Sequence, residues 1–291
     1  VLARLEMLAA QRRREMKMLH RRLLAEFLGT CGIVLVVVGS GIMAERLSQD
    51  VGVQLLANTI ATTGGLLLFI YLFSSISGAQ FNPVVTATEY FDKRINAGDA
   101  IQYVVAQVAG ACAGAMIANI MFSLDVVNLS TKVRSGVPQY VGEVVATAVL
   151  ILLIQGCIRT NRTAAIPYLV PAWITAAYWC TSSTSFANPA VSVGRSLSNT
   201  FAGIRPSSVP MFVVAQCIGA AVGVLNDMAL QIKGAAAIYG GHSHQSYASV
   251  IPSSPRVAPT VLGQTRNSGV EYTRTQICMK YGKVVGQSIE H

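Results

Sequence analysis

Charged residues are scarce in this sequence. Asp, Glu, Lys and Arg together make up 12% of the 291 residues, about half the share of an ordinary soluble domain. A chain so poor in charge cannot cover a water-facing surface in the usual way, and the shortage points to a membrane. Cysteine chemistry is also missing. The six cysteines (Cys31, Cys112, Cys157, Cys180, Cys217 and Cys278) form no CxxC pair. Five of them lie in or beside apolar segments, where a thiol behaves as a small hydrophobe. Neither a disulfide framework nor a metal site is expected. No phosphate-binding loop, nucleophile–base pair or metal cluster is visible, so an enzyme and a bound cofactor are not expected. His242 and His244 are too few to make a specific metal site.

Apolar residues are abundant, at 52%. Six long apolar segments run over Leu23–Met43, Val51–Ser75, Ala100–Phe122, Pro138–Ile158, Ala164–Ser183 and Val209–Ile232. Each is long enough to cross about 30 Å of hydrocarbon as a helix. Within them only Glu26, Glu143 and Asp227 are charged. The first segment is long enough to be a retained span, not a cleaved leader.

The net charge of +9 is concentrated early, in "RRREMKMLHRR" (Arg12 to Arg22). A basic stretch directly before an apolar span reads as a cytoplasmic anchor and not as a nucleic-acid site. Residues 1–21 therefore form a basic cytoplasmic segment. "YFDKRI" and "RTNR" are basic as well and belong on the same side, whereas "ERLSQD" falls outside. Lys132 and Arg134 sit in an outer connection, against the charge rule. Six spans place both termini in the cytoplasm, across the plasma (cell inner) membrane. Residues 234–291 are rich in Gly, Ser, Pro and His without a persistent period, and read as a disordered cytoplasmic tail.

The chain also repeats itself. "VVAQVAGACAG" (Val104 to Gly114) matches "VVAQCIGAAVG" (Val213 to Gly223), and "AEFLGTCGIVLVVVG" (Ala25 to Gly39) matches "GEVVATAVLILLIQG" (Gly142 to Gly156). Glu26 thereby pairs with Glu143 and Gln107 with Gln216. Asn82-Pro83 pairs with Asn188-Pro189 in the same order. Repeat one covers about 22–122 and repeat two about 138–233, within one domain of residues 22–233. Three spans per copy is odd, so the second copy enters the membrane upside down, as in inverted-repeat transporters. The pairs Gly110/Gly114 and Gly219/Gly223 allow close helix approach in lipid.

Each Asn-Pro pair starts a helix too short to cross. Proline suits the first helical position, and asparagine before it is a strong N-cap. Two such pieces entering from opposite faces would meet at mid-depth, where irregular backbone must be buried or line a water-filled cavity. Their positive N-termini would repel cations and protons. The Asn82 and Asn188 amides would donate to a passing oxygen; the plainer reading is that they only cap.

"SGAQFNPVVT" and "FANPAVS" resemble the twin Asn-Pro-Ala signatures of the aquaporin (major intrinsic protein) channels, and "AEFLGT" is typical of them. The resemblance covers about Arg22 to Lys233. It is nearest to a bacterial aquaglyceroporin-like subgroup whose second signature reads "NPAV". It implies an all-α membrane protein of six transmembrane helices and two re-entrant half-helices in an inverted 3+3 repeat. It also implies a homotetramer with a pore in each subunit, passing water or small neutral solutes through the lipid bilayer. Asn82, Pro83, Val84, Asn188, Pro189 and Ala190 would form the pore midplane. Val84 replaces the alanine of the first signature. Gln80 stands where histidine is common.

Counting from each asparagine, the resemblance implies a selectivity filter of Thr62, Ala176, Ser185 and Val191. Val191 stands where most members carry arginine. Four small residues predict a wide, neutral mouth suited to glycerol, urea or undissociated metalloid acids such as arsenous acid. Without the arginine, a higher proton or cation leak is expected. Arg195, four residues on, shares that helix face. It either restores a positive field at the outer vestibule or, in the more ordinary reading, snorkels at the rim. In the family, glutamates such as Glu26 and Glu143 brace the re-entrant loops. The alternative is a proton- or ion-coupled secondary transporter using these same two acids.

Overall fold

A computed structural model describes residues 2–230, with side chains from Met16 onward. The proposed tail, with His242, His244 and Cys278, lies outside the described residues. Eight α-helices follow in order: α1 (Leu2–Leu47), α2 (Val51–Ser77), α3 (Pro83–Phe91), α4 (Ala97–Met121), α5 (Val137–Arg159), α6 (Ile166–Cys180), α7 (Pro189–Arg195) and α8 (Val209–Leu230). The basic N-terminal segment is not separate from the first span. It continues into it as one helix of 46 residues, about 69 Å at 1.5 Å per residue, more than twice the hydrocarbon thickness.

Five of these helices are long and apolar enough to cross a membrane: α1, α2, α4, α5 and α8. Of the six spans expected from the sequence, the exception is α6. The segment expected over Ala164–Ser183 folds as a 3-10 turn at Thr163–Ala165 and then 15 helical residues. Pro167 sits in its first turn and Pro171 inside it. At Thr181 the backbone becomes extended, which frees residues 181–187 to run as the loop that leads into α7.

The two repeats fold alike. α1 packs most extensively on α4, and α5 packs correspondingly on α8. A Cβ added to Gly110 or Gly114 would overlap the carbonyl oxygen of Phe27 or Cys31; one added to Gly219 or Gly223 would overlap that of Val144 or Ala148. In each pair the helices touch backbone to backbone, which only glycine permits. α2 meets its counterpart α6 through Thr63 and Thr175, whose hydroxyls lie 2.6 Å apart. α3 and α7 meet at their N-termini and run apart. The end of α3 reaches Gln155 near the end of α5, through Arg94 (3.0 Å). Past the end of α7, Leu197 is bonded to Asn119 near the end of α4. The half-helices therefore leave toward opposite faces.

Candidate functional site

The site is built where α3 and α7 begin. Asn82 and Asn188 are the N-caps. Asn82 Oδ1 accepts from the Val84 N–H (3.1 Å), and Asn188 Oδ1 accepts from those of Ala190 (2.9 Å) and Val191 (3.3 Å). The two amides then cross over. Asn82 Nδ2 donates to the Ala187 carbonyl and Asn188 Nδ2 to the Phe81 carbonyl, both at 2.8 Å. An amide nitrogen has two hydrogens, so each asparagine locks the opposite loop with one and keeps one. Capping and solute contact are thus not exclusive readings.

The loops before these caps are held from behind by buried carboxylates. Glu26 accepts from Ser77 Oγ (2.6 Å), the N–H groups of Gln80 (3.0 Å) and Phe81 (2.7 Å), and Gln107 Nε2 (2.8 Å). Glu143 accepts from the N–H groups of Phe186 (2.8 Å) and Ala187 (2.9 Å), and from Gln216 Nε2 (2.6 Å). Both acids and both glutamines are fully buried, at 0% exposure. The glutamines also brace the half-helices, Gln107 to Thr86 Oγ1 (2.9 Å) and Gln216 to Ser192 Oγ (3.0 Å). With their N–H groups turned to the carboxylates, the loops have carbonyl oxygens left. Those of Gly78, Ala79, Gln80, Ser185 and Phe186 accept no hydrogen bond among the described residues. Ala79, Phe81, Ser185 and Ala187 all have φ near +50°. This is a strained conformation for side-chain-bearing residues, and it recurs at equivalent places in both repeats.

Along these loops runs a cavity of about 600 Å³. Glu89, Ile158 and Thr163 line one end. Asn82 and Asn188 line the middle. Thr62, Tyr178, Ser185, Val191 and Arg195 line the other end. Most of the remaining wall is aliphatic, from α1, α2, α5 and α6. One polar strip on an apolar wall lets a solute exchange some water for protein oxygens and donors without being held tightly.

Comparison with known proteins decides the family. A family model described as "Major intrinsic protein" matches residues 13–182. The chain belongs to the major intrinsic protein family. It is 49% identical over 202 residues to Aquaglyceroporin AqpS of Rhizobium meliloti, covering 69% of this chain and 86% of that one. It is 30% identical to Aquaporin Z of Brucella melitensis over 219 residues, covering 70% and 95%. The solved aquaglyceroporin from Plasmodium falciparum shares the fold, with a TM-score of 0.56 at 18% identity, covering 73% of this chain and 97% of that one. This chain is accordingly an integral, multi-pass membrane channel and not an enzyme.

The filter positions counted for this family member are only partly brought together. Thr62, Ser185 and Val191 line the cavity, and the Ser185 hydroxyl is buried with no protein partner. Ala176 is not with them. It is exposed on the far face of α6, while Ile174 and Tyr178 face the cavity. Tyr178 donates to Thr62 Oγ1 (3.3 Å). The count back from Asn188 crossed the loop 181–187, whose length no helical period sets. Each helical residue turns about 100°, so an error of two residues selects the opposite face. This end of the cavity thus contains an aromatic residue that lies outside the four positions expected from the sequence. The apolar run around Tyr178 on α6 carried no signal for which face it takes.

Of the midplane positions, Pro83 and Pro189 occupy the first helical turns. Val84 and Ala190 are buried in apolar clusters. Gln80 lines the cavity, with its side-chain oxygen held by Thr86 Oγ1 (2.7 Å). Arg195 does not snorkel. It is 2% exposed and faces the cavity.

Proposed function

We propose that this channel conducts small uncharged solutes passively: glycerol, urea and undissociated metalloid acids such as arsenous acid, along with water. The observation that carries this reading is the wall at the outer end of the cavity. Thr62, Ser185 and Tyr178 offer hydroxyls there, and Val191 leaves the width that a longer side chain would fill. A solute with several hydroxyls can trade water for these partners at little net cost. The relative AqpS bears the name aquaglyceroporin, which supports a polyol-type solute. By the same family reading the channel is a homotetramer in the plasma membrane with both termini cytoplasmic. In each subunit the midplane formed by Asn82, Pro83, Val84, Asn188, Pro189 and Ala190 would admit solutes in single file.

The coupled-transporter alternative is not favoured. Glu26 and Glu143 are sealed and spent on loop N–H groups, which leaves neither free to carry a proton. Stopped-flow swelling of proteoliposomes with a panel of neutral solutes tests the proposal. Glycerol and urea should pass, and Val191→Arg should lower glycerol permeability roughly tenfold or more, a narrowing worth at least about 1.4 kcal/mol of barrier, with water less affected. A Val191→Arg channel with an unchanged solute ranking would contradict the assignment of this mouth as the filter.

A further inference from the structure

Val191 lacks the charge that this position usually supplies, yet the outer end of the cavity is not neutral. Arg195 lies one turn further along α7 on the same face. Side chains on a helix lean toward its N-terminus, so a long one at Arg195 reaches back over Val191. Its path is fixed. Nε donates to the Ala202 carbonyl (2.5 Å), and the guanidinium carbon lies 3.5 Å from the centre of the Phe186 ring. Arg134, from the connection between α4 and α5, lies over the same ring at 5.1 Å. Its Nε is tied to the Gly203 carbonyl (2.9 Å). Phe186 is itself wedged edge-on against Phe212, with ring centres 5.1 Å apart. A rigid aromatic plate thus carries two guanidinium groups.

Among the described residues neither guanidinium has a carboxylate at ion-pair distance, and Glu143 acts on both only through space. Glu143 is spent on loop N–H groups and Gln216. Glu45 accepts from the Phe201 N–H. Lys132 adds a third cation, with Nζ on the Phe201 carbonyl (2.9 Å). Its proton affinity is lowered by burial and by the nearby Arg134 and Arg195. A buried guanidinium without a carboxylate is costly unless its free N–H groups meet water or another acceptor. The terminal nitrogens of Arg195 make no hydrogen bond to protein among the described residues, and the residue lines the cavity. Whatever occupies the cavity is their acceptor.

We infer that Arg195 is a specificity-determining residue of this channel, supplying the outer constriction with a cation from one turn beyond Val191. Its terminal nitrogens donate to the oxygen atoms of an incoming solute opposite Ser185 and Tyr178. Its charge, backed by Arg134, turns cations away. This reverses the leak expected from Val191 alone. It rests on the channel reading but not on any one solute.

The test uses Val191→Cys in the full-length protein in proteoliposomes. Small thiol-reactive methanethiosulfonates, one positive and one negative, are applied from the outer side. Each rate is divided by that reagent's rate with a free small thiol, and the native cysteines of the unsubstituted protein give the background. The negative reagent should react at least about tenfold faster, as a nearby unscreened charge requires. Adding Arg195→Gln should cut this preference severalfold, with Arg134 and Lys132 supplying what remains, and Arg195→Gln alone should raise sodium and proton leak. Equal or cation-favouring rates in Val191→Cys overturn the proposal, and so does a ratio that Arg195→Gln leaves unchanged. Should Arg195→Gln fail to fold, the Val191→Cys ratio decides alone. A neutral ratio in vesicles that still pass glycerol would sink this inference and leave the channel reading intact; absence of all solute flux would remove the channel reading and this inference with it.

Discussion

Glu26 and Glu143 show how a charge can be kept in a membrane span without a cation. Each carboxylate collects donors from a re-entrant loop and from a glutamine on a third helix, and neither forms an ion pair among the described residues. Removing one leaves the donors stranded, at about 1–3 kcal/mol for each buried group. Glu143→Ala should therefore lower the unfolding temperature sharply in detergent, by several degrees or more. Glu143→Gln should be milder, since an amide oxygen still accepts one of the three bonds. The pH profile of solute flux should be the same in folded Glu143→Gln as in the unsubstituted channel; a changed profile would show that the acid does more than brace. These roles were legible in the sequence because both acids and both glutamines recur in register. Arg195 was only half legible. Its position on the helix face followed from spacing, but its direction depends on Phe186 and on the Ala202 carbonyl, which lie outside α7. Ala176 was misplaced for a similar reason: an irregular loop separates it from the asparagine used as the ruler.

At the scale of elements, the half-helices are the most predictable parts. Asn-Pro provides the cap and the first turn, and polar crossing bonds between the two loops do the rest. The glycine contacts are equally readable. Gly219→Val should disrupt the α5–α8 contact, because a side chain there meets the Val144 carbonyl, and backbone cannot move aside. Overpacking of this kind costs about 1–3 kcal/mol or more. Size-exclusion chromatography should show aggregated or unfolded protein, while a Val substitution at Gly64, which has open space around it, should give a normal profile. The shortening of α6 was not legible. A hydrophobic run marks where a span lies, but the point where its helix ends is set by the loop that must turn in to deliver Ser185 and Asn188.

For the whole molecule, the arrangement separates two tasks. The long helices and their glycine seams make a rigid wall. The two loops, each pinned by a buried acid, present polar atoms along one strip of the cavity. The cavity lining carries one acid and one base, Glu89 and Arg195, and is otherwise uncharged. A neutral solute meets donors and acceptors throughout, whereas an ion meets an apolar wall that cannot replace its water. The account therefore predicts downhill, gradient-proportional flow with no coupling. Stopped-flow swelling of proteoliposomes in glycerol is the direct measurement. The rate should rise in proportion to the imposed gradient, exceed that of protein-free vesicles, and be indifferent to a pH difference across the membrane. Glycerol accumulated uphill on a pH gradient, or a rate no greater than that of empty vesicles, would contradict it.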